Sequence, residues 1–133
     1  MIYFIDTNIC ISILNNNSRC LLDKVREIGI DAVAIPTTVA AELAYGAYKS
    51  TKRDYNLTRL RRFLHLFTIV GLDYAAIEEY GKIRAELERK GTPIGANDYF
   101  IAAIAKANGG VLVTNNTREF NRITDLVIED WTK

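Results

Sequence analysis

Three acidic residues far apart in the chain, Asp6, Glu42 and Asp98, have the type and the settings to hold a divalent cation. Asp6 ends the apolar run Ile2-Tyr3-Phe4-Ile5 and is followed by Thr7-Asn8. A short apolar run bounded by polar residues reads as a strand buried on both faces, with its last residue at the carboxyl edge of a sheet. That edge is where open α/β sheets bind ligands. Steps of three and four residues from Asp98 reach Ile101, Ala102 and Ala105, so its carboxylate lies on an apolar, inward face. A charge there is costly unless a counter-ion meets it. Glu42 sits among Val39, Ala40, Ala41, Leu43 and Ala44, on the flank of a buried stripe. A simpler role exists for each: Asp6 and Asp98 as helix caps, Glu42 as a solvated surface residue. Glu42 is no capping-box partner of Thr38, because the residue three after Thr38 is Ala41.

Brought together, the three carboxylates have a definite chemistry. Two of them ~4 Å apart repel by about 4 kcal/mol at an effective dielectric of 20, so the cluster takes up a proton or binds a cation. Ligation by oxygen alone selects a hard ion, Mg²⁺ with Mn²⁺ as its substitute, and no His or Cys cluster suggests zinc. Mg²⁺ on few carboxylates keeps waters, accepts phosphate oxygens, and lowers the pKa of a bound water. The expected reaction is phosphodiester hydrolysis.

The elements that must position these residues alternate along the chain. Strands are expected at 2–5, 33–35, 67–70, 111–113 and 126–128. Helices are expected through Ile9–Leu14, from Ser18 to Gly29, and over about 39–49, 56–66, 73–90 and 97–107. Such alternation implies a parallel sheet with helices on both faces. At 133 residues, with 49% hydrophobic and 25% charged, the chain is expected to be one domain spanning 1–133. Net charge of +1 gives no global field for nucleic acid, so such binding needs a local patch. The first apolar run is too short for a signal peptide and no stretch approaches a membrane span, which makes a cytoplasmic protein the expectation.

Four segments, in order, resemble a known family: Phe4-Ile5-Asp6-Thr7-Asn8, Glu42 in a helix after a short strand, Gly95-Ala96-Asn97-Asp98, and Val113-Thr114-Asn115-Asn116-Thr117-Arg118-Glu119-Phe120. From Ile2 to Trp131 the chain resembles PIN-domain ribonucleases, more narrowly the VapC toxins of bacterial toxin–antitoxin pairs. The resemblance implies a three-layer α/β/α fold around a central parallel sheet of about five strands. It implies a Mg²⁺-dependent endoribonuclease inhibited by a VapB antitoxin, a homodimer within the toxin–antitoxin complex, and tRNA as substrate, cut in the anticodon region of initiator tRNA. Asp6 and Asp98 match its metal ligands, Glu42 completes the acidic site, and Thr7, Asn8 and Thr114 support it. One position departs: where many PIN domains carry Asp, this chain has Asn116, which adds no charge and reduces the case for a second metal. Glu119 compensates, or is a surface residue near a turn.

Substrate contact is expected from Lys49, Lys52, Arg53, Arg59, Arg61 and Arg62, set against Asp54 as the one acid. Tyr45, Tyr48 and Tyr55 beside them offer stacking faces for unpaired bases. A solvated helical hairpin explains the same pattern. The pairs Glu78–Lys82 and Glu86–Lys90 read as an ion-paired exposed face. Cys10 and Cys20 read as small hydrophobes near the core. Other chemistries fail on residues: a haloacid-dehalogenase-type site needs Asp where Asn8 stands, a receiver lacks its acidic pair and Lys, and a two-histidine ribonuclease is excluded because His65 is the one histidine. The alternative from another class is an RNA-binding or regulatory domain that keeps the fold without turnover.

Overall fold

Five short parallel strands, β1 (Tyr3–Ile5), β2 (Val33–Pro36), β3 (Thr68–Val70), β4 (Val111–Val113) and β5 (Val127–Glu129), form one sheet in the order β3-β2-β1-β4-β5. The structure, a computed structural model, describes residues 1–133 throughout. Seven helices flank the sheet: α1 (Thr7–Leu14), α2 (Arg19–Ile28), α3 (Thr37–Lys49), α4 (Arg53–Leu64), α5 (Tyr74–Arg89), α6 (Ala96–Ala107) and α7 (Thr117–Phe120). This is the α/β arrangement that the alternating pattern predicts. The order places β1 centrally, with β2 on one side and β4 on the other. The chain therefore reverses its winding beside β1, and the crevice outside the carboxyl ends opens there.

Burial follows strand position. Phe4, Ile5, Ile35, Leu112 and Val113 are fully buried, and each contributes about 1.5–3 kcal/mol on leaving water. They belong to one core cluster with Ile9, Val39, Tyr99, Ile101, Ile104 and Phe120, so the elements that carry the acidic residues share one hydrophobic foundation. Parallel pairing sets Phe4 opposite Leu112 and Ile5 opposite Val113, which brings the residues that follow each strand to the same edge. Gly110 is required at the start of β4. A Cβ there would lie 2.6 Å from the Phe4 ring and 2.8 Å from the Ile2 carbonyl oxygen, so any side chain would push β4 off β1.

Several expectations shift. β1 begins at Tyr3, and β5 lies one residue later than expected. β3 has exposed Thr68 and Ile69 because it is an edge strand, with no neighbour beyond it. Helix α3 starts at Thr37, directly after Pro36, whose φ of −61° suits a helix entry. Helix α4 starts at Arg53 rather than near Asn56. Ser18 caps α2 by accepting from the Leu21 amide at 3.2 Å, and Gly29, at φ 94°, ends it as expected. Cys10 is buried but Cys20 is exposed, since it lies on the outer face of α2. On α5, Glu86 pairs with Lys90 at 3.0 Å, whereas Lys82 meets Glu79 at 4.0 Å rather than Glu78. Lys106 on α6 reaches Glu79 at 3.5 Å, an ion pair between the two helices. No helix is long and apolar enough to cross a membrane.

Candidate active site

Asp6 does two jobs with its two oxygens. Oδ1 accepts from the Ile9 amide at 3.0 Å and so caps α1, which makes the capping role real. Oδ2 accepts from the Thr114 hydroxyl at 2.5 Å, a contact between residues 108 positions apart that crosses from β1 to the end of β4. Thr114 is itself fully buried, its amide donates to the Glu129 carbonyl at 3.0 Å, and its Oγ1 accepts from the Asn116 amide at 2.9 Å. The hydroxyl is thus fixed at both ends and orients the Asp6 carboxylate. Asp6 is 6% exposed. Burial raises its pKa, and nearby Glu42 raises it further, while the Thr114 and helix-start hydrogen bonds pull it down.

Asp98 lies in the first turn of α6, not at its cap; Gly95 holds that position. The Tyr99 hydroxyl accepts from the Ile94 amide at 3.2 Å and so braces the loop before the helix. A Cβ on Gly95 would come within 3.1 Å of Asp98 Oδ2, so glycine leaves room for the carboxylate to fold over the helix start. The inward face read from the sequence is the observed one: Ile101, Ala102 and Ala105 are buried. Burial pushes the Asp98 pKa up to about 7, reinforced by a hydrogen bond and charge repulsion from Glu119 and then by Asp6 and Glu42.

Glu119 is therefore half-buried beside Asp98 rather than a free surface residue. It stands on α7, a helix of four residues that the pattern does not reveal, and its Oε2 accepts from the Asn116 side-chain amide at 2.7 Å. The neutral residue at position 116 holds a carboxylate toward Asp98. Asn116, Asp6, Thr7, Asn8, Glu42 and Asp98 all line one cleft of about 370 Å³, with Gly95, Ala96 and Asn97 closing its rim. The sequence reading names the segment Gly95-Ala96-Asn97-Asp98 for its resemblance but gives its first three residues no place at the site.

The basic residues lie apart. Lys49, Lys52, Arg53, Arg61 and Arg62 are exposed along α3 and α4, with Lys49 over the Tyr45 ring at 5.1 Å and Arg53 beside Asp54 at 3.8 Å. Arg59 does not join them. Its Nη2 donates to the Leu14 carbonyl at 2.8 Å and to Asn15 at 3.2 Å, which draws it toward the end of α1. His65 caps the end of α4 on the surface, its ring nitrogen 2.7 Å from the Arg61 carbonyl oxygen.

The donor set suits a hard cation. Every polar group lining the cleft offers oxygen or amide, and no three His, Cys, Asp or Glu side chains close into a ready-made cage. Carboxylates spaced around an open cleft suit an ion that retains waters, as Mg²⁺ does, better than one stripped of them. The Thr7 hydroxyl is buried beside the cleft and makes no hydrogen bond within the chain.

Comparison with known proteins gives one consistent outcome. The family described as PIN domain matches residues 3–126. Ribonuclease VapC2 of Rickettsia felis is 40% identical over 100% of both chains. The tRNA(fMet)-specific endonuclease VapC of Shigella flexneri is 38% identical over 97% of both. The crystal structure of VapBC2 from Rickettsia felis bound to a DNA fragment from their promoter contains a chain that superposes with a TM-score of 0.92 at 39% identity, covering 98% of this chain and 99% of that one.

Proposed function

The chain belongs to the PIN-domain family, in its VapC branch, and from that premise we propose that it is a divalent-metal-dependent endoribonuclease toxin acting in the cytoplasm as a single unit spanning residues 1–133. The observation that carries the reading is the convergence of Asp6, Glu42 and Asp98 on one cleft, with Glu119 beside Asp98 and no basic side chain among the cleft's lining residues. Residues 1–133 fold such a cluster at a cost in repulsion and desolvation, which a cation relieves.

In this reading Asp6 and Asp98 hold Mg²⁺, with Mn²⁺ as a substitute. A divalent ion held there would supply an acidified water and charge to offset that building on the phosphate. The chain's own groups do the rest. Thr114 fixes the rotation of the Asp6 carboxylate through its 2.5 Å hydrogen bond. Glu42 takes the proton of the attacking water. Asn116 holds Glu119 at 2.7 Å, and Glu119 supplies the charge that the neutral amide lacks. Thr7 and Asn8 line the approach to the phosphate.

The substrate is tRNA. Support comes from the name of the Shigella relative, whose target is initiator tRNA, and cleavage in the anticodon region follows from the family resemblance. Exposed Lys49, Lys52, Arg53, Arg61 and Arg62 supply backbone contacts to an RNA larger than the cleft. The partner is a VapB-type antitoxin, since the Rickettsia neighbour is a VapBC complex, and the toxin homodimer within that assembly follows from the family resemblance. Inhibition requires the antitoxin to set an Arg or Lys near Asp6, Glu42 and Asp98, where a cation is already favoured.

Purified protein incubated with total tRNA tests the reading. Cleavage at one position in Mg²⁺, lost on chelation and restored by Mn²⁺, is the expected result. RNA binding without cleavage under all of these conditions would instead establish a domain that keeps the fold without turnover.

A further inference from the structure

Next to the acidic cleft lies a second cavity, of about 250 Å³, enclosed by α1, α3 and α4. The two share Thr7 and Glu42 as a common wall, so a group in one is a neighbour of a group in the other. We propose that this cavity receives an unpaired base of the RNA, that of the nucleotide adjoining the bond to be cut. The inference rests on the nuclease reading for its substrate, and on the following observations for its site.

The floor is apolar, formed in part by Leu43 and Leu60, both buried, and suits the face of an aromatic ring. The cavity's polar side chains are Thr7 and Glu42, on the wall shared with the acidic cleft, and Asn15, Asn56 and Arg59. Arg59 is pinned by its Nη2 bonds to Leu14 and Asn15 and lies against the Tyr55 ring at 5.5 Å from its centroid. Of five guanidinium N–H donors, those two bonds use two, and the other three make no hydrogen bond within the chain. An apolar side chain from a protein partner would leave that donor set unused, which is why a base is the better occupant. The cavity has room for a ring system but not for a duplex, so only an unpaired nucleotide enters. This is the mode in which sequence is read in RNA loops.

Helix α3 also yields space at this point. Gly46 lies in its interior and lines the cavity, although glycine is the poorest helix former after proline. A Cβ there would meet no atom within 4 Å, so no packing inside the chain calls for glycine. The same fact supplies the test, because Gly46→Leu fills the cavity without disturbing the core and favours the helix.

The ¹⁵N-labelled chain is titrated with an unstructured pentaribonucleotide in Ca²⁺, which neutralises the acidic cleft, and with the same oligonucleotide made abasic at each position in turn. The expected result is that the intact oligonucleotide shifts the Gly46 amide and the Asn15 and Asn56 side-chain amides. One abasic position should lose those shifts and weaken binding about tenfold, the scale of one stacked base. Gly46→Leu should lose them as well and raise KM about tenfold with kcat nearly unchanged, while its thermal stability is retained. Shifts that no abasic position removes, or a Gly46→Leu protein that binds and cleaves as the wild type does, would overturn the proposal. Loss of antitoxin binding alone in Gly46→Leu would overturn it too, and would assign the cavity to a protein side chain. Base-dependent shifts in a protein that never cleaves RNA would uphold the pocket and reject the nuclease reading.

Discussion

Carboxylates occupy two very different environments in this molecule. On α5, Glu86 and Glu88 each meet a basic side chain four residues away, at 3.0 Å from Lys90 and Arg84, and all four are at least partly exposed. At the carboxyl edge of the sheet, Asp6, Glu42 and Asp98 line one cleft, Glu119 stands beside Asp98, and no basic side chain lines that cleft. The pKa values record the contrast: the Lys90 hydrogen bond lowers that of Glu86, whereas burial and its acidic neighbours raise that of Asp98 to about 7. Charge matched within the chain is a surface feature of small energetic consequence. Charge left unmatched at a sheet edge is a demand for a ligand.

The largest expected effect comes from removing charge at the cleft. Asp98→Asn and Asp6→Asn each keep the shape of the side chain, and Asn still caps α1 at position 6. Cleavage should fall by on the order of 10²- to 10³-fold or more, the scale of deleting one charge-handling group in an active site. Circular dichroism should stay native. Comparable rates in a contaminant-free Asp98→Asn preparation would remove that residue from the site.

A smaller loss is expected where the carboxylate remains but its support goes. Thr114→Val deletes the hydroxyl that links Asp6 to Asn116 at 2.5 and 2.9 Å. Activity should drop about 10- to 100-fold, as for groups that orient a metal ligand, with most of the loss recovered by Thr114→Ser. No recovery with Ser would mean that the methyl, not the hydroxyl, matters.

The unmatched cluster also predicts an unusual pH dependence. Asp98 holds its proton to about pH 7 in the fold against an ordinary value of 3.8. Between those values the folded chain binds more protons than the unfolded one, so in chelator the stability should fall as pH rises through that window and level off above it. Asp98→Asn should flatten the slope, whereas Glu86→Gln should leave it. Thermal melts across the window decide, and a wild-type slope in Asp98→Asn would place the titration elsewhere.

Asn116 should give the subtlest change. Asn116→Ala releases Glu119, held at 2.7 Å, and should weaken cleavage less than Asp98→Asn does. Asn116→Asp adds a ligand charge beside Glu119 and should tighten Mn²⁺ binding in calorimetry, with either sign on turnover because a tighter ground state need not favour the transition state. Unchanged affinity in Asn116→Asp together with full activity in Asn116→Ala would exclude the residue.

Long-period features of the site are legible in the sequence. The apolar run ahead of Asp6 and the inward stripe of α6 carry their own periodicity, and burial in the fold follows both. The choice between cap and ligand for Asp6 was not decidable, because the two roles use different oxygens of one carboxylate. Glu119 escaped assignment since α7, at four residues, is shorter than any repeat that reveals a helix face. Arg59 read as one of six basic residues set to contact substrate; only the packing of α4 against α1 turns it aside. Cys20 read as buried on composition, whereas the face it occupies depends on how α2 docks.

Manganese binding measured by electron paramagnetic resonance tests most directly whether the unmatched carboxylates form a cation site. The free-ion signal should be depleted by one firm site per chain in the wild type, remain nearly undiminished with Asp98→Asn, and be depleted as in the wild type with Glu86→Gln. Equal depletion in Asp98→Asn and the wild type would contradict the account, because the ion would then be held somewhere other than the cleft.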